Sequence, residues 1–136
     1  MFQREKQKQM KKIVKKRFDI DVPGSGASVS KTFELDKDIV SIKGMTVTSD
    51  RDDLLYFRGS QRIEINRDEI FPEGYESKLL MSGINAPVDS RYYDLGELNP
   101  GNKNIKIDYL DTDNSQAEFA AYRVSYYFEC EKCEAE

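Results

Sequence analysis

The chain has no histidine and no tryptophan, and only two cysteines among its 136 residues. Without histidine there is no Ser-His-Asp or Cys-His nucleophile, no histidine-ligated zinc and no imidazole base titrating near neutral pH. Two cysteines cannot build a disulfide framework. Long apolar runs are also missing. Nothing approaches the roughly 20 residues of a membrane-spanning helix, and the N-terminus lacks the apolar core of a secretory leader. A chain maturing in a cytoplasm is therefore expected. Gly24-Ser25-Gly26 lacks the Gly-Lys and the helix that a phosphate cradle needs. Paired carboxylates such as Asp52-Asp53 and Asp68-Glu69 are adjacent in sequence. In an extended segment such neighbours point to opposite faces and do not cooperate as acid and base. No catalysis, no cofactor and no small-molecule substrate are expected.

What is present is a period of two. Ala120, Tyr122, Val124, Tyr126, Phe128 and Cys130 alternate with Ala121, Arg123, Ser125, Tyr127 and Glu129. That is a strand with one face on a core and one face wet. Such a strand needs partners on both edges and a second layer over its apolar face. Other alternating runs supply them: Phe18-Ile20-Val22, Val29-Lys31-Phe33-Leu35, Ile63-Ile65 and Ile105-Ile107-Tyr109. Between Ile39 and Thr48 the apolar parity slips at Gly44, which predicts a bulge or a sharp bend at a sandwich corner. Leu54–Arg58 reads as a short strand after a polar loop, Arg67–Glu73 as connecting structure, Pro72-Glu73-Gly74 as a turn, and Lys78–Met81 as a further strand. Seven to nine short strands with turn chemistry between them predict an all-β protein, a two-layer antiparallel sandwich or a barrel. Apolar residues are 38% of the chain against 34% charged, and they cluster, which suffices for a thin sandwich core.

The charge is divided unevenly. Residues 1–17 carry eight basic side chains and one acidic, a net +7, while the remaining residues carry 13 basic and 24 acidic, a net −11. Such asymmetry points to partner binding. Residues 1–17 are expected to form a basic N-terminal arm, helical or disordered, since the stretch has no Gly or Pro and places Met10, Ile13, Val14 and Arg17 at helical spacing. A solvated basic tail is the alternative. Its candidate partner-binding residues are Arg4, Lys6, Lys8, Lys11, Lys12, Ile13, Val14, Lys15, Lys16 and Arg17. A sandwich domain over 18–130 and a short tail over 131–136 complete the layout.

Three smaller motifs carry competing readings. Cys130-Glu131-Lys132-Cys133 has the spacing of a redox pair or half a zinc site, without a βαβ context or further ligands, and reads better as two ordinary thiols. Asp111-x-Asp113-x-Ser115 alternates oxygen ligands like a calcium loop, but Gln116 replaces the required glycine, so a solvated hairpin loop is expected. Tyr92, Tyr93 and nearby loops offer a surface that recognises glycan or a receptor. The alternative is that tyrosines line the sandwich or subunit contacts.

The layout resembles the single jelly-roll coat and vertex proteins of icosahedral viruses, in particular small penton or minor capsid proteins of tailless bacteriophages. The likeness rests on the arm Arg4–Arg17, on Phe18-Asp19-Ile20-Asp21-Val22-Pro23-Gly24 and on Lys31-Thr32-Phe33-Glu34-Leu35. Phe71-Pro72-Glu73-Gly74 and Arg91-Tyr92-Tyr93-Asp94-Leu95 add to it. The resemblance implies a virion structural subunit of single jelly-roll type, assembled in a host cytoplasm. It implies self-association, with a pentamer favoured, and contact with coat subunits. It also implies an arm that reaches coat neighbours, anionic lipid of an internal membrane, or nucleic acid.

Overall fold

The computed structural model describes residues 10–83, 86 and 91–134. Among them eight strands form two four-stranded antiparallel sheets. In chain order these are β1 (Met10–Val22), β2 (Ser28–Glu34), β3 (Ile39–Ser49), β4 (Gly59–Ile65), β5 (Asp68–Glu76), β6 (Tyr93–Leu98), β7 (Asn104–Asp111) and β8 (Tyr122–Glu134). One sheet has the order β1-β8-β3-β6, the other β2-β7-β4-β5. The pairing is nested: β4 with β5, β3 with β6, β2 with β7, β1 with β8. A helix, α1 (Asp52–Arg58), joins β3 to β4, and a short 3-10 turn (Ser77–Leu79) follows β5.

The period of two in β8 is the axis of the fold. Tyr122, Val124, Tyr126, Phe128 and Cys130 are buried, and β8 has β1 on one edge and β3 on the other. Facing them across the sandwich are Ile63 and Ile65 of β4 and Ile105, Ile107 and Tyr109 of β7. Leu54 and Leu55 of α1 close one end of the core. In β3 the register with both neighbours shifts between Ile42 and Gly44. The bulge keeps Ile39, Ile42, Met45 and Val47 all buried despite their broken parity. Only glycine suits this position, because a Cβ there would lie 2.9 Å from the Tyr93 carbonyl oxygen and 3.2 Å from Tyr92 Cβ.

Four local expectations are corrected. Residues 10–17, expected to be helical or disordered, are strand: Met10 to Val22 pair with β8 without a break. Lys15 lies opposite Glu129 and Ile13 opposite Glu131, and such cross-strand pairing overrides a weak helical preference. Residues 1–9 lie outside the described residues. Leu54–Arg58 is helix, because two adjacent leucines that are both buried cannot sit on a half-wet strand. Asp52 and Asp53 in its first turn and Arg58 in its last complement the helix dipole. Arg67–Glu73 and Pro72-Glu73-Gly74 belong largely to β5, whose bulged register and positive φ of 81° at Gly74 absorb the turn residues. Lys78–Met81 is not a strand; its first residues lie in the 3-10 turn.

Candidate functional site

The sandwich has two open sides. On one, the edge strands β1 and β2 lie together, joined by the stacked rings of Phe18 and Phe33 at 4.6 Å. On the other, β6 and β5 lie together, with Tyr93 edge-on to Phe71 at 5.6 Å. Each of these four strands has one unpaired edge.

Of the basic residues singled out in the sequence, Lys11, Lys12, Lys15, Lys16 and Arg17 lie on β1, at the β1/β2 side. Arg4, Lys6 and Lys8 fall outside the described residues. The remaining cations are partly engaged within the chain. Lys11 is 4.0 Å from Glu131, Lys15 is 3.9 Å from Glu129 and 5.1 Å from the centre of the Tyr92 ring, and Lys16 pairs with Asp36. Arg17 pairs with Asp19 at 2.9 Å and sits 5.8 Å from the Tyr127 ring. Lys12 has no ion pair among the described residues. Ile13 is 45% exposed and Val14 is half-buried. These residues of β1 therefore form a strand edge with a basic rim. Lys16 occupies an inward register position on β1, as Lys31 does on β2, an arrangement that blunts uncontrolled strand-to-strand pairing.

Tyr92 and Tyr93 do not form one platform. Tyr92 lies on the outer face of the β1-β8-β3-β6 sheet, where it lines a shallow hollow of about 290 Å³ with Thr46, Thr48 and Tyr127. Burial pushes its hydroxyl above the ordinary tyrosine range. Tyr93 turns to the β5/β6 side, 41% exposed against Phe71.

The cysteine pair is separated by the strand that carries it. Cys130 faces the core, fully buried, and Cys133 faces outward. Three residues of extended chain span about 10 Å, beyond disulfide reach, and the odd spacing puts the thiols on opposite faces. Burial pushes the Cys130 thiol up to about 11. In the folded protein iodoacetamide is expected to modify Cys133 well before Cys130, with both equally reactive in denaturant. Peptide mass analysis checks this, and equal rates in the folded state contradict it. Among the described residues no group of three or more His, Cys, Asp or Glu side chains is placed to hold a metal ion.

A buried ionic network was not anticipated. Arg58, at the end of α1, and Asp111, at the end of β7, are both almost fully buried. Arg58 Nε and a terminal guanidinium nitrogen donate to the two Asp111 oxygens at 3.0 and 2.8 Å. The guanidinium also donates to the Ala117 carbonyl at 3.0 Å and to Ser25 Oγ at 2.7 Å. The Tyr122 hydroxyl donates to Asp111 at 2.6 Å, so the Tyr109 hydroxyl, 2.8 Å away, must donate to Tyr122. The Gly26 amide adds a further bond to Asp111 at 2.9 Å. Burial pushes the Asp111 carboxyl up, but Arg58, Tyr122 and Gly26 together outweigh it and hold it below its ordinary 3.8. One guanidinium thus ties the β1–β2 loop, α1 and the β7–β8 loop together. The same contacts occupy Asp111, the first position of the calcium-like pattern. The available signal was parity: Asp111 continues the inward series Ile105, Ile107, Tyr109, where an acidic residue requires a buried partner.

No protein-family model, curated protein sequence or solved structure matches this chain.

Proposed function

We propose that this chain is a virion structural protein, a capsid vertex (penton) or minor capsid subunit, non-catalytic and built to pack against copies of itself and coat neighbours. The observation that carries this reading is the strand order. Sheets ordered β1-β8-β3-β6 and β2-β7-β4-β5, with nested pairing, support reading the sandwich as a single jelly roll. Lectins also use that architecture, so the fold alone does not choose. A shell subunit is favoured because the charge and the exposed Ile13 and Tyr93 sit on the sides of the sandwich, where neighbours pack. A sugar binder through Tyr92 and Tyr93 is disfavoured because the two rings diverge. The basic rim of β1, with Arg4, Lys6 and Lys8 preceding it in the sequence, supports a role in reaching acidic coat surfaces, anionic lipid or nucleic acid.

The test is light scattering coupled to size exclusion on the full chain and on a chain starting at Met10, which keeps β1 intact. A discrete oligomer is expected for the full chain, a pentamer by preference. Removal of residues 1–9 is expected to weaken binding to phosphatidylserine vesicles or duplex DNA without unfolding the domain. A monomer that binds a glycan array equally well with and without residues 1–9 contradicts the proposal.

A further inference from the structure

The two sides of the sandwich carry opposite charge. On the β1/β2 side stand Lys11, Lys12, Lys15, Lys16, Arg17 and Lys31, against Asp19, Asp21 and Glu34. On the β5/β6 side stand Asp68, Glu69, Glu73, Glu76, Asp94 and Glu97, with no basic residue on either strand. All six of these carboxylate residues are exposed. Arg62 engages Glu69 at 2.6 Å and Lys78 engages Glu76 at 3.6 Å, while Asp68, Glu73, Asp94 and Glu97 have no ion pair among the described residues. On the basic side Lys12 and Lys31 are likewise without one.

Lysines on exposed strand edges are a common guard against aggregation. That role accounts for the β1/β2 side only, since β5 and β6 have none. We infer that the two sides are complementary halves of a head-to-tail contact, in which the β1/β2 side of one copy of this chain meets the β5/β6 side of the next. Like sides repel, so a two-fold contact through either side is disfavoured, and only the unlike pairing gains. Such a heterologous contact closes into a ring when its rotation permits. Each side also offers one exposed apolar anchor, Ile13 on the basic side and Tyr93 on the acidic side. At roughly 3.3 Å per residue β1 is about 43 Å long, and with two sheets about 10 Å apart the side offers a strip of about 430 Å², the size of a weak contact that needs charge complementarity and many copies to hold. The inference rests on the reading of this chain as an assembling subunit, and it names the surfaces that assemble.

Charge reversal tests it. One variant carries Lys12→Glu and Lys31→Glu, the other Glu73→Lys and Glu97→Lys; none of these residues makes an ion pair among the described residues, so the fold is spared, which circular dichroism and thermal unfolding verify. Sedimentation is measured at about 0.05 M and about 0.5 M salt, where screening weakens exposed charge pairs. Wild-type self-association is expected to weaken at high salt, and each variant alone to self-associate at least about tenfold more weakly. An equimolar mixture of the two is expected to restore a one-to-one complex at low salt, because the second variant keeps the native basic side and the first keeps the native acidic side. An oligomer unaffected by either variant, or no rescue on mixing, overturns this contact and leaves the building-block reading standing. A wild-type monomer at every salt and concentration overturns both.

Discussion

Replacing Arg58 with alanine is expected to destabilise the fold by about 3–5 kcal/mol, read from the denaturant midpoint. The cost comes from what is left behind. Asp111 would remain buried with its strongest partner gone, while Ser25 and the Ala117 carbonyl lose their donor. Arg58→Lys is expected to recover little, because a point ammonium cannot reproduce two parallel bonds to Asp111. The paired change Arg58→Met with Asp111→Leu is expected to recover part of the loss, as buried ion pairs exchanged for apolar groups often are nearly neutral. Recovery stays incomplete because the Gly26 amide and the Tyr122 hydroxyl lose their acceptor. The same network sets a pH dependence. The Asp111 carboxyl titrates below its ordinary 3.8 when folded, so the unfolded chain takes up its proton first as acid is added. The stabilisation is complete above the ordinary carboxylate range and is lost as pH falls through the folded value. Acid titration of stability is expected to show this loss in the wild type, with a smaller Asp111 contribution in Arg58→Ala. Identical acid profiles would remove Asp111 as the linked group.

The second large effect is expected at Phe128. Truncation to alanine is expected to cost about 3–5 kcal/mol by denaturant unfolding, with weakened near-ultraviolet circular dichroism. Phe128 is fully buried on the strand shared by β1 and β3, opposite Lys16 on one side and Met45 on the other. Its ring lies 6.0 Å from Phe18, which stacks on Phe33 of the facing sheet. The cavity would open where the two sheets meet near the basic side. Tyr127→Ala, one residue earlier, is expected to cost under about 1.5 kcal/mol, since that side chain faces outward beside Arg17. Equal losses at 127 and 128 would contradict the two-faced reading of β8.

That contrast also marks how far the sequence was legible. Where alternation was uninterrupted, as in β7 and β8, the inward residues were identifiable, and the parity slip at Gly44 located the β3 bulge. Legibility failed where charge sat on the inward register. Lys12 and Lys16 hide the period of β1, so residues 10–17 resemble a basic helix until Glu129 and Glu131 across the ladder supply partners. Bulges hid β5, since Pro72, Glu73 and Gly74 break its pattern while it still pairs with β4. Adjacent Leu54 and Leu55 offered a helical signal too short to outweigh the surrounding strands. The Arg58–Asp111 pairing joins residues 53 apart and has no local signature beyond the parity of Asp111. The opposed charge of the two sides could be counted from sequence, yet it became visible only when the topology put β1 beside β2 and β5 beside β6.

The placement of β8 between β1 and β3 bears on biosynthesis. Among the described strands β1 leaves the ribosome first and β8 last, so while β2 to β7 are made β1 has no ladder to join. β4 with β5, then β3 with β6, then β7 with β4 and β2 can zip up while the chain is still growing. The nascent polypeptide must keep a long lysine-bearing segment waiting, and its positive charge keeps that segment soluble until the final strand slides in beside it.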